Sequence, residues 1–368
     1  MSSRTIIIGN GIAGFTVASA LAKAGKDVIQ YSEEPCGFYS RIKLPQVLCD
    51  EDAMEKLPAA QCPVYLKQGN VTAFDPVAKT VTLEDGQTER YDNLVLATGS
   101  RGRSLPIFSG VNGVTTLRTL ADAKLLSHEL KDPVCVLGGG LLGVESARAI
   151  ASKGFSVTVL EGGPHILCRQ LNEDAADILR AKLKADGLGI EEAFAVDSVE
   201  QQDGNITAVV SKEGKRVPCR TMLLSVGVNP EVTLARNAGL RVERAIVVDD
   251  HLRTSAPDVY AIGDCAQYQG MVPGIMPVAM GMANTLTQIL LGKDATYEPP
   301  QLMTRLKDTS FDLISIGSIE GKAIEQTDGD RHIFLFTHDG LLCGAILLNA
   351  ADQLAKVKEG MGKPFSAS

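Results

Sequence analysis

Two copies of one pattern (an apolar strand, a turn with three spaced glycines, a helix of small residues, a second strand) predict an α/β protein built on two dinucleotide-binding units. A third feature adds a small α+β domain at the carboxyl end. After Pro299-Pro300, the segments Leu313 to Ile319, His332 to Thr337 and Leu341 to Leu347 read as strands, and Ala350 to Lys358 as a helix. Composition agrees: 368 residues with 45% hydrophobic and 22% charged content can bury two or three cores, and disorder is not expected.

The first copy runs from a strand at Ile6 to Ile8 through a turn at Gly9 to Gly14. An alanine-rich helix, Phe15 to Ala24, follows; Gly25 stops it, and a second strand spans Val28 to Tyr31. Next comes a β-rich stretch with a hairpin turn at Asp85-Gly86 and a buried strand at Leu94 to Ala97. A loop rich in glycine, serine and proline, near Gly99 to Gly113, leads to the second copy. Its strand is Val134 to Leu137, its turn Gly138 to Gly143, its helix Val144 to Ser152, and its second strand Ser156 to Leu160. Beyond lie a helix near Glu173 to Asp186, short strands around Gly204 and Gly214, a turn at Asn229-Pro230 and a long helix from Val278 to Leu291.

Each glycine has a physical task. The first permits the sharp bend from strand to helix, the second lets backbone approach a diphosphate, and the third lets helix and strand pack closely, with the phosphate on the positive helix end. These are Gly9, Gly11 and Gly14, then Gly138, Gly140 and Gly143. An acidic residue is expected at the end of the second strand to accept hydrogen bonds from ribose hydroxyls. Glu161 stands there in the second copy, where its charge would repel a 2′-phosphate and favour NADH over NADPH; no arginine occurs among Gly162, Gly163, Pro164 and His165. In the first copy the place falls on Ser32, so Glu33 is the candidate, against the alternative of a solvated loop carboxylate beside Glu34.

A net charge of -8 argues against nucleic acid or an anionic membrane as the main partner. No apolar run approaches a bilayer span, and the strand at Thr5 to Ile8 leaves no room for an export signal, so a cytoplasmic location is expected. The eight cysteines, at 36, 49, 62, 135, 168, 219, 265 and 343, contain no Cys-x-x-Cys pair. Reduced, mostly buried thiols and no metal site are expected.

The two glycine turns, with "YDNLVLATGS" (Tyr91 to Ser100) and "TSAPDVYAIGDCA" (Thr254 to Ala266), resemble the FAD-dependent pyridine nucleotide oxidoreductases. "EEPCGFYSRIKLP" (Glu33 to Pro45) and the small last domain look most like NADH:rubredoxin reductases and the flavin-containing amino-terminal part of NAD(P)H nitrite reductases. The resemblance implies two Rossmann-like domains of glutathione-reductase type. The FAD domain would be discontinuous, 1–111 with 242–296; the NAD(H) domain would span 112–241 and the α+β domain 297–368. It implies that FAD contacts Ile12, Ala13, Ser32, Arg41, Ala97, Thr98, Gly99, Gly263 and Asp264, whose carboxylate would accept from a ribityl hydroxyl; the residues alone also allow Asp264 as a helix cap. NADH would contact Leu141, Leu142 and Gly227 beside the second turn. Pro277 to Gly281 would open a helix whose positive end favours reduced flavin. Glu145 matches a family glutamate near the nicotinamide that pairs with a lysine beside the flavin. Gln46 stands at the lysine position and Lys43 one turn earlier, so either is the candidate partner; Glu145 also suits a helix first turn for its charge alone.

Relatives that reduce disulfides carry one or two cysteines where this chain reads "FYSRIKLP", and Cys36 and Cys49 only flank that segment. Their longer carboxyl-terminal dimerisation domain is also missing, so a monomer is expected. The leading expectation is an enzyme passing electrons from NADH through FAD to a small rubredoxin-like or ferredoxin-like iron protein. Arg41, Lys43, Arg101 and Arg103 are candidates for steering an acidic carrier, or for phosphate contacts. Three alternatives stand beside it: an oxidase or diaphorase using oxygen or quinone, the flavin module of a nitrite-reducing system with its iron centres elsewhere, and a redox-sensing assembly subunit.

Overall fold

Ile6, Ile7 and Ile8 are an unbroken apolar run and all three are buried, the pattern of a parallel strand covered on both faces. Their strand, Arg4–Ile8, lies at the centre of a five-stranded sheet in a computed structural model that describes residues 3–48, 50–58, 63, 65–272, 274–307, 311–321 and 323–365. The order is Val259–Ala261, Asn93–Leu96, Arg4–Ile8, Asp27–Ser32, Leu66–Gln68, and every pairing is parallel. Helix Ile12–Lys23 buries Val17, Ala18 and Leu21 and packs against helix Met276–Leu290, which contributes Met282, Ala283 and Leu286. Gly25, at φ +69°, ends the first helix, and the Lys26 N–H returns to the Leu21 carbonyl at 3.0 Å, satisfying a terminal acceptor. An antiparallel meander, Val71–Asp75, Thr80–Leu83 and Thr88–Arg90, contains the expected Asp85-Gly86 turn.

The chain divides into two compact units, Met1–Arg103 with Gly227–Pro300, and Ser104–Val226 with Gln301–Ser368. The second unit has its own parallel sheet, ordered Gly189–Glu191, Val157–Leu160, Val134–Leu137, Thr221–Leu224, Val114–Thr116. Strand Val134–Leu137 is buried at every position. An antiparallel trio, Val196–Gln202, Asn205–Ser211 and Arg216–Pro218, turns at Gly204 and Gly214. The same unit holds a five-stranded antiparallel sheet, ordered Met303–Lys307, Asp312–Gly317, Leu341–Leu348, Arg331–His338, Ala323–Asp328, with helix Leu354–Gly360 against it.

The helices after the two glycine turns begin three residues earlier than expected, at Ile12 and Leu141, and three further local readings change. Val228–Pro230 is a strand, antiparallel to Ser100–Gly102, where a turn is expected at Asn229-Pro230. A two-stranded ribbon consists only of edges, so the proline's missing donor is tolerated there. Asp312–Gly317 stops short of Ile319 because Gly317 adopts φ +74° with no room for a side chain against the Cys343 carbonyl. The segment after Ala350 is a short 3-10 turn, Ala351–Gln353, before its helix. Among the described residues no helix is long and apolar enough to cross a membrane.

Candidate functional site

The carboxyl ends of Arg4–Ile8, Asn93–Leu96 and Val259–Ala261 lie side by side, since Ala97 N–H bonds the Ile8 carbonyl at 2.8 Å and Ile262 N–H the Leu96 carbonyl at 3.0 Å. The centre strand is followed by the first glycine turn, at the place where strand order reverses and ligands of such sheets bind. Gly9 has φ +112°, and a Cβ there would overlap the Ala97 carbonyl. A Cβ on Gly14 would overlap the Gly9 carbonyl, so helix and strand meet at backbone distance. Nothing lies within 4 Å of a Cβ placed on Gly11, which caps the helix at φ −75°, ψ 179° without a side-chain hydrogen bond. The turn is therefore crowded at its outer glycines and open at the middle one. No acidic residue occupies the helix's first turn, which includes Ile12 and Ala13. Unpaired N–H groups and an open backbone face suit a diphosphate.

The second turn repeats this geometry. Gly138 has φ +110° and would overlap the Ser225 carbonyl, Gly143 would overlap the Gly138 carbonyl, and Gly140 is open. Gly140 caps helix Leu141–Ala151 at φ −75°, ψ −179°, again without a side-chain hydrogen bond, and Leu141 and Leu142 form its first turn. Glu161 follows strand Val157–Leu160 and holds the turn: Oε2 accepts the Gly139 N–H at 2.6 Å and Oε1 the Gly163 N–H at 2.5 Å. A carboxylate oxygen accepts more than one hydrogen bond, so Glu161 keeps capacity for ribose hydroxyls. Glu145 is the fifth residue of its helix, past the first turn, so helix-end attraction does not explain it. Burial raises its carboxyl above the ordinary glutamate value, and it has no hydrogen bond or ion pair among the described residues.

In the first unit, Ser32 takes the place of Glu161, because Ile8 pairs with Tyr31 as Leu137 pairs with Leu160. Ser32 donates to the Glu34 carbonyl at 3.1 Å and Glu33 is exposed, with Arg101 at 4.0 Å. The loop is organised by Glu34, for which the sequence suggests only a solvated carboxylate: it accepts from the Tyr39 hydroxyl and, at 2.5 Å, from Arg41 Nη2. Burial would lower the Arg41 pKa, but Tyr39, Glu34 and Asp264 outweigh it and hold the guanidinium charged. Asp264 lies in the turn Gly263–Cys265 and accepts from the Ser100 hydroxyl at 2.8 Å, and no side chain caps helix Met276–Leu290, so the cap alternative for Asp264 is not realised. Gly263, at φ +75°, places its Cα beside Ala13. Thr98 donates to the Glu231 carbonyl at 2.6 Å, and the Gly99 carbonyl accepts the Glu231 N–H at 2.9 Å. The Gly227 carbonyl accepts the Arg103 N–H at 3.0 Å. Lys43 and Gln46 both expose their side chains, and Arg101 is paired with Glu231. Cys49 and Cys62 lie outside the described residues, and Cys135, Cys219 and Cys265 are buried.

The family described as pyridine nucleotide-disulphide oxidoreductase matches residues 3–283. The chain belongs to that family. Within it, rubredoxin-NAD(+) reductase of Pseudomonas putida is 33% identical over 296 residues, 77% of each chain. Nitrite reductase [NAD(P)H] of Bacillus subtilis is 28% identical over 95% of this chain, which spans 46% of that protein's length. The solved ferredoxin reductase for the CYP199A2 system from Rhodopseudomonas palustris superposes with a TM-score of 0.87 at 25% identity, covering 99% of this chain and 96% of its own. The family's members are oxidoreductases, as the sequence resemblance leads one to expect.

Proposed function

We propose that the chain is an NADH-dependent flavoprotein reductase, with FAD in the first cradle, NADH in the second, and a small iron electron carrier as acceptor. The observation that carries it is the pair of cradles alike in all three glycines and unlike in their acid: Glu161 braces the second, and Ser32 stands at that place in the first. When bound, flavin supplies acceptance of a hydride and release of its two electrons to one-electron acceptors.

The chain's residues do the rest. The two uncapped helix ends bind diphosphate. Glu161 accepts from ribose hydroxyls and disfavours a 2′-phosphate. Asp264, fixed by Ser100 and facing the charge of Arg41, accepts from a hydroxyl of the flavin's side chain. Helix Met276–Leu290 begins without an acidic residue or a side-chain cap, so its positive end is available to favour negative charge on a reduced flavin. Glu145, with Lys43 or Gln46, belongs to the chemistry of the nicotinamide and flavin rings. The names of the rubredoxin and ferredoxin reductases support an iron carrier as the acceptor.

The test is anaerobic stopped flow. The yellow protein is reduced with NADH and mixed separately with rubredoxin, ferredoxin, oxygen and a quinone. Fastest reoxidation by an iron carrier is expected; fastest reoxidation by oxygen or quinone would make the protein an oxidase or diaphorase. The match to nearly the whole chain by part of a nitrite reductase favours a second reading, a flavin module serving an iron centre elsewhere. Reoxidation by none of the four acceptors would favour that one.

A further inference from the structure

Gln30 is fully buried in strand Asp27–Ser32, where the register pairs it with Ile7. The equivalent residue of the second unit is Val159, paired with Val136. An aliphatic side chain is what a strand covered on both faces calls for, and a glutamine there has to find partners for its amide. Gln30 finds one: its Nε2 donates to the Gly9 carbonyl at 2.9 Å. Its Oε1 is buried with no partner among the described residues. An unpaired buried carbonyl is destabilising, so packing alone would favour valine.

The Gly9 carbonyl belongs to the first peptide of the glycine turn. In a planar trans peptide the N–H points opposite to the C=O. With the Gly9 carbonyl drawn inward by Gln30, the Asn10 N–H faces the other way, and it has no acceptor among the described residues. In the second unit the matching peptide, Gly138 to Gly139, is fixed from its other end, since the Gly139 N–H is taken by Glu161. No side chain among the described residues donates to the Gly138 carbonyl. The two cradles thus pin the same peptide by opposite atoms: the second consumes the N–H, whereas the first consumes the carbonyl and leaves the N–H for a ligand.

We infer that Gln30 is a positioning residue of the first cradle, holding the Gly9-Asn10 peptide so that the Asn10 N–H is presented to the anionic diphosphate-ribose portion of the bound dinucleotide. The inference rests on the assignment of FAD to this cradle. It accounts for the missing carboxylate at Ser32, because a carboxylate there would take the N–H that Gln30 leaves open. It also suits a resident cofactor, since one more preorganised donor to an anion slows its loss.

The test uses Gln30→Met, close in volume, and Gln30→Val, which copies the second cradle. FAD dissociation constants are measured by reconstituting apoprotein, together with apoprotein melting temperature and NAD+ affinity of the FAD-loaded protein. The expected result is a roughly tenfold rise in the FAD constant for both variants with NAD+ affinity unchanged, and a Gln30→Met apoprotein that melts close to the parent, because the Gly9 carbonyl left unpaired replaces the unpaired Gln30 Oε1. Unchanged FAD affinity in both would overturn the inference. So would a lowered apoprotein melting temperature that tracks the loss of FAD, which would make Gln30 a core residue only. If the parent protein itself binds no FAD, it is the cofactor assignment that fails, and that outcome is separate from either.

Discussion

Replacing Glu161 with alanine separates the two cradles. In the structure its carboxylate accepts two backbone N–H groups, from Gly139 at 2.6 Å and Gly163 at 2.5 Å, and ribose hydroxyls would be its further partners. Hydrogen bonds to a charged group contribute about 1.5–3 kcal/mol, so losing the ribose contact should raise the NADH dissociation constant about ten- to hundredfold. NADPH makes no such contact and escapes the charge repulsion, so its affinity should hold or rise, and the preference for NADH should fall by at least the same factor. Glu161 is half-buried, so water can reach the two abandoned N–H groups, and the stability loss should be about 2 kcal/mol, from the low end of about 1 kcal/mol for each orphaned donor. The assay is anaerobic reduction at varied NADH and NADPH, with FAD content read from the visible spectrum and stability from urea unfolding. Loss of FAD with NADH affinity intact would refute the reasoning by reversing the two assignments. Unchanged NADH affinity would remove Glu161 from the ribose site.

Gly11→Ala adds its methyl to open space, so melting should be unchanged while FAD affinity drops; Gly14→Ala meets the Gly9 carbonyl and should destabilise the fold itself, as differential scanning fluorimetry with and without FAD would reveal. Burial raises the Glu145 carboxyl, so the folded state binds its proton more tightly than the unfolded chain does. Stability should then decline as pH rises from the ordinary glutamate value through the raised one, and Glu145→Gln should remove that decline from unfolding curves across weakly acidic pH. Arg101 is neutralised by Glu231 and Arg41 by Glu34, whereas among the described residues Lys43 has no charged partner and the Arg103 side chain meets the Asn229 amide oxygen but no carboxylate. Lys43→Ala with Arg103→Ala should therefore flatten the salt dependence of carrier reduction more than Arg101→Ala does; equal slopes in all variants would count against electrostatic steering.

The strands Arg4–Ile8 and Val134–Leu137 were legible because an unbroken apolar run ahead of a glycine turn has few other readings. The crowded and open glycines were legible for the same reason, since each role follows from steric demand on the backbone. Helix Leu120–Glu129 escaped notice although Thr119 and Asp122 form a reciprocal cap, because its apolar residues make only a faint stripe. Strand Ala323–Asp328 was missed because Glu325 to Asp328 are all exposed at a sheet edge, where alternation is not required. Around the first turn, the expectation of a ribose carboxylate points to Glu33, while the local pattern does not mark Glu34 as the loop's organising acid or Gln30 as a partner of the turn. Glu34 acts through Tyr39 and Arg41, five and seven residues on. Gln30 sits in a core position of its strand, where periodicity registers only an apolar slot filled by a polar residue.

The order in which the strands leave the ribosome differs between the two parallel sheets. Everything the second requires lies between Val114 and Leu224, so it can close as soon as that stretch has been made. The first sheet must wait: Asn93–Leu96, water-averse from Leu94 onward, keeps one flank bare until Val259–Ala261 is synthesised and docks beside it. A ribosome that stalls in between would release a chain with a sticky border, and such fragments, more than the finished protein, are where aggregation should begin.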